Sequence, residues 1–189
     1  MSICIFPGTF NPIHYAHIQI AVFALNTYGF DKIIFIPSYI PPHKNIDKNL
    51  AKHRFNMVKM ATQFNPKFEV SDIEYQNEGK SYSLITVKKI ISEYNINVPL
   101  NFIIGTDAFK NIRNWYNVDE LKKLVHFIVF KRNNDTISES EFSDFDYEVA
   151  QMKKIDISST ELRNGEKINA LNTVRKYIKD NELYVRIHK

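Results

Sequence analysis

Short, nearly unbroken apolar runs (Ile3–Phe6, Ile33–Ile36, Leu100–Ile104 and His126–Phe130) alternate with segments of helical period, and this constrains the chain most. A strand with one wet face alternates apolar and polar residues. A continuous apolar run needs cover on both faces, which parallel strands joined by helices provide. The expected fold class is α/β, a doubly wound, mainly parallel sheet with helices on both faces. Ligands of such sheets bind beyond the carboxyl ends of the strands, where the winding reverses.

The order of elements follows from the same pattern. After the first strand, residues 15–28 carry Ile18, Ala21, Val22 and Leu25 at helical spacing, and Gly29 closes that helix. A second strand covers 32–36, and Pro41-Pro42 stiffens the loop from Pro37 to Asn49. A helix is expected over about 50–64 with Phe55, Met57, Val58 and Ala61 inward, then a strand over 67–73 and a helix from Ser81 to about Asn95. Strands at Leu100–Ile104, His126–Phe130 and about 147–155 complete the sheet. Short helices near 159–164 and 170–180 form a small C-terminal helical part, about 157–189. The 189 residues suit one domain, 1–189.

Composition narrows the function classes. The one cysteine, Cys4, lies in the first apolar run and reads as core, so neither a disulfide framework nor a cysteine zinc site is available within the chain. No signal peptide and no apolar stretch of membrane-span length is visible, which leads to a cytoplasmic protein without a membrane partner. The net charge of +4 is unevenly spread. Lys44, Lys48, Lys52, Arg54 and Lys59 crowd one segment, either an anion-steering patch or a solvated face. Asp135, Glu139, Glu141, Asp144, Asp146 and Glu148 make an acidic stretch, and 133–146 is expected to be a mobile loop. No interleaved basic and aromatic pattern marks a nucleic-acid partner.

Two segments have the chemistry of a phosphate site. Gly8-Thr9-Phe10-Asn11-Pro12 follows the first strand, and His14 and His17 then lie three residues apart at a helix start. Positions i and i+3 share a helix face, and a helix N-terminus favours an anion. The second segment is Ile157-Ser158-Ser159-Thr160-Glu161-Leu162-Arg163. Ser158 and Glu161 fit a capping box, yet capping does not call for three hydroxyls and an arginine one turn on. Gly105-Thr106-Asp107 also ends a strand, and it would meet Gly8–His17 if the first and fourth strands are neighbours. Asp107 alone could be a helix cap, and the only tryptophan, Trp115, could be core.

Gly8 to His17 together with Ile157-Ser158-Ser159-Thr160-x-x-Arg163 resembles the (H/T)-x-G-H and I-S-S-T-x-x-R signatures of the nucleotidyltransferase superfamily. Pro41-Pro42-His43-Lys44, Ser81-Tyr82-Ser83, Gly105-Thr106-Asp107, Trp115, Lys131-Arg132, Val174-x-x-Tyr177-Ile178 and Leu183-Tyr184 extend the likeness to the bacterial nicotinate-nucleotide adenylyltransferases. The resemblance implies a Rossmann-like nucleotidyltransferase domain. It implies attack by the phosphate of nicotinate mononucleotide on the α-phosphorus of ATP, giving deamido-NAD and pyrophosphate.

The resemblance also implies the roles of residues. His14, His17 and Arg163 would be catalytic. Gly8, Thr9, Phe10, His14, His17, Gly105, Asp107, Ile157, Ser158, Ser159, Thr160 and Arg163 would bind ATP. His43, Lys44, Ser81, Tyr82, Thr86, Asp107, Trp115 and Arg132 would bind the acceptor, with Trp115 against the pyridine and Thr86 beside its carboxylate. Mg²⁺ would travel on the ATP phosphates, with no metal held by the protein itself. The chain departs from the pattern at Asn11, where Asp is commoner, at Ala16 for Gly, at Ile85 for Asp, and at Asn133-Asn134 for Pro-Gly. Alternatives are an adenylyltransferase for nicotinamide mononucleotide or phosphopantetheine, and a non-catalytic nucleotide-binding module. Oligomeric state stays open, a homo-oligomer included.

Overall fold

The computed structural model describes residues 1–42, 47–76, 79–131, 135–152 and 170–184. Six parallel strands make one sheet: β1 (Ile3–Gly8), β2 (Lys32–Pro37), β3 (Phe68–Val70), β4 (Leu100–Gly105), β5 (Val125–Phe130) and β6 (Tyr147–Val149). Their order across the sheet is β3-β2-β1-β4-β5-β6, so the winding reverses between β1 and β4. These two strands are neighbours, as the meeting of their loops requires. They pair only at Cys4–Asn101 and Ile5–Phe102, whereas β1–β2 and β4–β5 each run six residues in register. The pairing of the two strands stops at Ile5, and a reversal of winding is where sheets of this kind form a crevice at the carboxyl ends.

The unbroken apolar runs fill two cores, one on each face. Cys4, Phe6, Ile33, Phe35, Ile103 and Ile128 point to one side, under α1 (Tyr15–Thr27), α2 (Leu50–Thr62) and, at the far end of the chain, α6 (Asn172–Asp180). Ile3, Ile5, Ile34, Ile36, Phe102, Ile104, Phe127 and Val129 point to the other. There they meet α3 (Ser83–Glu93), α4 (Thr106–Lys110) and α5 (Val118–Leu121). The period of two along a strand accounts for this division. Cys4 is fully buried, as its place in β1 required.

Several boundaries differ from the sequence expectation, each for a local reason. β3 stops at Val70 because Ser71 turns the chain: its amide bonds the Phe35 carbonyl, and its hydroxyl accepts the Ile73 amide. α3 begins at Ser83 rather than Ser81, because the Ser81 hydroxyl is occupied outside the helix. The segment 106–121, left without elements in the sequence reading, holds α4, a 3₁₀ turn at Ile112–Asn114 and α5. The expected helix near 159–164 lies outside the described residues.

The acidic stretch is not the mobile loop expected of it over its described part, 135–146. Phe142 and Phe145 are buried in the second core, at 1% and 7% exposure. Arg113 lies over both rings and bonds Asp144 and the Glu141 carbonyl, while Lys122 also bonds Asp144. Apolar anchors decide the matter, because charge alone does not free a segment that buries two phenylalanines. No described helix is long and apolar enough to cross a membrane.

Candidate active site

β1 delivers Gly8 to the crevice, and the chain must turn sharply there. A Cβ at Gly8 would sit 2.8 Å from the Phe10 ring, so only glycine lets that ring close over the strand end. Phe10 is held at φ 44° with 2% exposure, packed edge-on against Phe6 and against His17 at a centroid distance of 5.0 Å. His14 then caps α1 with an extended backbone. Its amide donates to His17 Nδ1 at 3.2 Å, the task a glutamate performs at that position in a capping box. With Nδ1 accepting, the neutral His17 ring carries its proton on Nε2. The two imidazoles stack at 3.7 Å and 30°, so the pair expected from the i, i+3 spacing is formed. Ala16, the departure from glycine, is buried in the first turn of α1.

Across the crevice, Gly105 caps α4 and Asp107 lies exposed in its first turn, so Asp107 is not itself the cap. Thr106 is buried and its hydroxyl donates to the Phe130 carbonyl, which ties the ends of β4 and β5 together. Gly8, Thr9, Phe10, His14, His17, Gly105 and Asp107 thus share the carboxyl edge of the sheet. Ile157, Ser158, Ser159, Thr160 and Arg163 lie outside the described residues, as do His43, Lys44 and Arg132. Tyr177 and Tyr184, from the described segment 170–184, nevertheless return to this edge. Tyr177 of α6 accepts from Asn56 Nδ2 at 3.0 Å, and its hydroxyl also lies 3.0 Å from His53 Nδ1 on α2. Tyr184 donates to Asn11 Oδ1 at 2.5 Å.

The residues expected to bind the acceptor form a different kind of assembly. A pocket of about 190 Å³ is lined by Glu74, Gly79, Lys80, Ser81, Tyr82, Ile85 and Thr86. Tyr82 packs on the exposed Tyr116 at 4.7 Å, joining the start of α3 to the segment that carries Trp115. Trp115 is half-buried against Phe102, with its amide on the Ile112 carbonyl; it borders the core rather than filling it. Ser81 and Thr86 have hydroxyls turned to other work. Ser81 Oγ accepts the amides of Tyr39 and Ile40 at 3.0 and 3.2 Å. Thr86 is 4% exposed and its hydroxyl donates to Glu74 at 2.8 Å.

Two residues that the sequence did not mark as part of the site hold this region. Arg54, one of the basic cluster expected to be an anion-steering patch or a solvated face, is wholly buried. Its Nη1 donates to the carbonyls of Thr9 (2.7 Å) and Ser38 (2.6 Å), and its Nη2 to that of Tyr39 (3.0 Å). Its position was a usable signal, because it interrupts the buried stripe Ala51, Met57, Val58 and Ala61 of α2 at helical spacing. Glu74, 7% exposed, accepts the Tyr39 amide at 3.3 Å as well as the Thr86 hydroxyl. Burial pushes its pKa up, against the pull of its hydrogen bonds and of the Arg54 charge. Glu74 lies in a turn without periodicity, so no sequence pattern marks it.

The cytidylyltransferase-like family model matches residues 5–165. The nicotinate-nucleotide adenylyltransferase of Bacillus subtilis is 36% identical over 97% of this chain and 98% of its own. The protein of Clostridium tetani named "Probable nicotinate-nucleotide adenylyltransferase" is 40% identical over 92% and 96%. The Plasmodium falciparum nicotinic acid mononucleotide adenylyltransferase complexed with NaAD shares the fold at a TM-score of 0.82, with 24% identity and 97% of each chain covered. With a family model over most of its length and relatives at this identity, the chain belongs to the cytidylyltransferase-like family, and within it to the nicotinate-nucleotide adenylyltransferases.

Proposed function

We propose that the protein transfers AMP from ATP to nicotinate mononucleotide, releasing pyrophosphate and forming deamido-NAD. The observation that carries this is the stacked His14–His17 pair at the start of α1, opposite Gly105 and Asp107 across the reversal of winding. A phosphate monoester is largely dianionic at neutral pH, with a second pKa of about 6, so the acceptor needs no general base. The protein's task is to bring two anions together and stabilise the charge that builds on the leaving pyrophosphate. In this reading His17 Nε2–H and His14 donate to the α- and β-phosphate oxygens. Ser158, Ser159, Thr160 and Arg163 hold the β/γ end beside Ile157, and Asp107 takes ribose hydroxyls. Trp115 and Tyr82 face the pyridine, while His43, Lys44 and Arg132 receive the acceptor phosphate.

The described side chains at the crevice are the two imidazoles and the one carboxylate of Asp107, a set that suits phosphate oxygens and ribose hydroxyls more than a hard cation. Mg²⁺ fits as the counter-ion that the triphosphate carries on its own oxygens, where it neutralises charge. Residues 1–189 work in this reading as one nucleotidyltransferase domain in the cytoplasm.

Pyrophosphate release from ATP, measured with nicotinate mononucleotide, nicotinamide mononucleotide and phosphopantetheine in parallel, tests the assignment. Release with the nicotinate acceptor at the highest kcat/KM is the expected result. Turnover only with another acceptor would move the protein to a different branch, and release with none would leave a nucleotide-binding module.

A further inference from the structure

We propose that Arg54 and Glu74 are a buried positioning pair that grips the Ser38–Tyr39 turn and couples acceptor binding to ATP binding. The proposal rests on the adenylyltransferase reading, in which the Thr9 loop serves ATP and the turn leading to Pro41-Pro42-His43-Lys44 serves the acceptor. The two loops leave neighbouring strands, β1 and β2, whose ends are in register at Gly8 and Pro37. The Ser38 amide bonds the Gly8 carbonyl at 2.9 Å. One guanidinium then spans both: Nη1 holds Thr9 on the ATP side and Ser38 on the acceptor side.

The Tyr39 residue is held from both directions. Arg54 takes its carbonyl at 3.0 Å, and Glu74 and Ser81 take its amide at 3.3 and 3.0 Å. Glu74 in turn accepts from Thr86 at the N-terminal turn of α3, so the line runs from the pocket floor through Tyr39 and Arg54 to Thr9. A planar guanidinium suits this because its donors are fixed in one fork, whereas an ammonium is a single point. Holding a charged fork at zero exposure on three carbonyls is a costly way to support a loop that needs only packing. It is well suited to keeping two substrate loops in a fixed relation, on which an in-line transfer depends.

The experiment measures the Kd of α,β-methylene-ATP and of nicotinate mononucleotide, each alone and in the presence of the other, for wild type, Glu74→Gln and Arg54→Lys, with Tm recorded. Glu74→Gln preserves shape: its carbonyl oxygen can accept the Tyr39 amide while Thr86 donates to the Tyr82 carbonyl, 3.3 Å away. Glu74 makes its bonds on the acceptor side, yet Glu74→Gln is expected to weaken the ATP analogue about fivefold, the lower range of ordinary site–site coupling. Arg54→Lys is expected to weaken both ligands, to bring their mutual effect towards none, and to lower kcat more than it raises KM. Should Arg54→Lys not fold, Glu74→Gln and Ser81→Ala carry the test. Wild-type affinity for the ATP analogue in Glu74→Gln, whatever its Tm, overturns the coupling. Wild type that binds the analogue but forms no deamido-NAD overturns the function reading instead.

Discussion

The side of the crevice that we propose for ATP and the side that we propose for the acceptor are built on opposite plans. On the ATP side the side chains that identify the site face one another directly: Gly8 admits Phe10, Phe10 packs on His17, and His17 stacks on His14. On the proposed acceptor side, Ser81 and Thr86 spend their hydroxyls on Tyr39, Ile40 and Glu74, and buried ionisable side chains do the holding. The packed part of the first side lies within one short run of chain, Gly8 to His17. The other is assembled from four stretches, near 39, 54, 74 and 81–86, that meet only after folding.

The comparison breaks most sharply at His17. If the ATP side is a directly acting constellation, His17→Ala should fold normally and lower kcat by about 10²–10³-fold, the scale for losing one preorganised donor to a developing charge. Steady-state rates with Tm measured alongside check this, and near-wild-type turnover would reduce the stacked pair to a capping device. Gly8→Ala comes next. The added methyl must displace a Phe10 ring hemmed in by Phe6, Phe35 and His17, with overpacking of about 1–3 kcal/mol and a rise in the KM for ATP. Urea unfolding and KM measurements should move together; a stable variant with unchanged KM would mean that the ring yields without disturbing His17.

What was legible follows the same division. The apolar runs and helical periods gave the sheet and its two covered faces, because burial pattern is a local property of strand and helix; the adjacency of β1 and β4 was only a condition, which the strand order meets. The His14–His17 pair was legible because both residues lie in one helical turn. Arg54 was half legible: its charge suggested a surface, while its register in α2 pointed inward, and register prevailed because three backbone carbonyls were there to receive it. Glu74 was not legible at all. Its burial depends on the turn made after Ser71 and on partners from Tyr39, Ser81 and Thr86, which no spacing in the chain records. The short helices over 106–121 escaped for want of length, since fewer than two turns show no period.

Thr86 separates scaffold from contact with one methyl-for-hydroxyl exchange. Thr86→Val keeps the volume and removes the donor to Glu74, so it should cost about 1–3 kcal/mol in stability by leaving a buried carboxylate short of a bond. The acceptor KM should rise only as far as the loop shifts. If instead stability holds and the acceptor KM rises tenfold or more, the hydroxyl touches substrate, and the acceptor side is built like the ATP side after all.

The smallest effect is the slope of stability with pH set by Glu74. Burial raises its pKa in the folded state above the unfolded value of about 4.3, and the hydrogen bonds of Ser81, Thr86 and the Tyr39 amide, with the Arg54 charge, offset that only in part. A raised folded pKa means that the native state holds the proton more tightly. The associated stability is therefore fully present below about pH 4.3 and is lost as pH rises through the folded value. Glu69 runs the other way, lowered by its bonds from Lys32 and Tyr94, but it is common to wild type and Glu74→Gln and cancels in their difference. Urea unfolding of both proteins from pH 4 to 7 should show wild type losing ground to Glu74→Gln as pH rises. A difference that stays flat would mean that Glu74 is accommodated without cost, like any well-paired surface acid. A falling difference, joined to weaker ATP-analogue binding by Glu74→Gln, would show a titrating buried group kept at the expense of stability for the geometry it imposes, which is the pattern expected where function and stability compete.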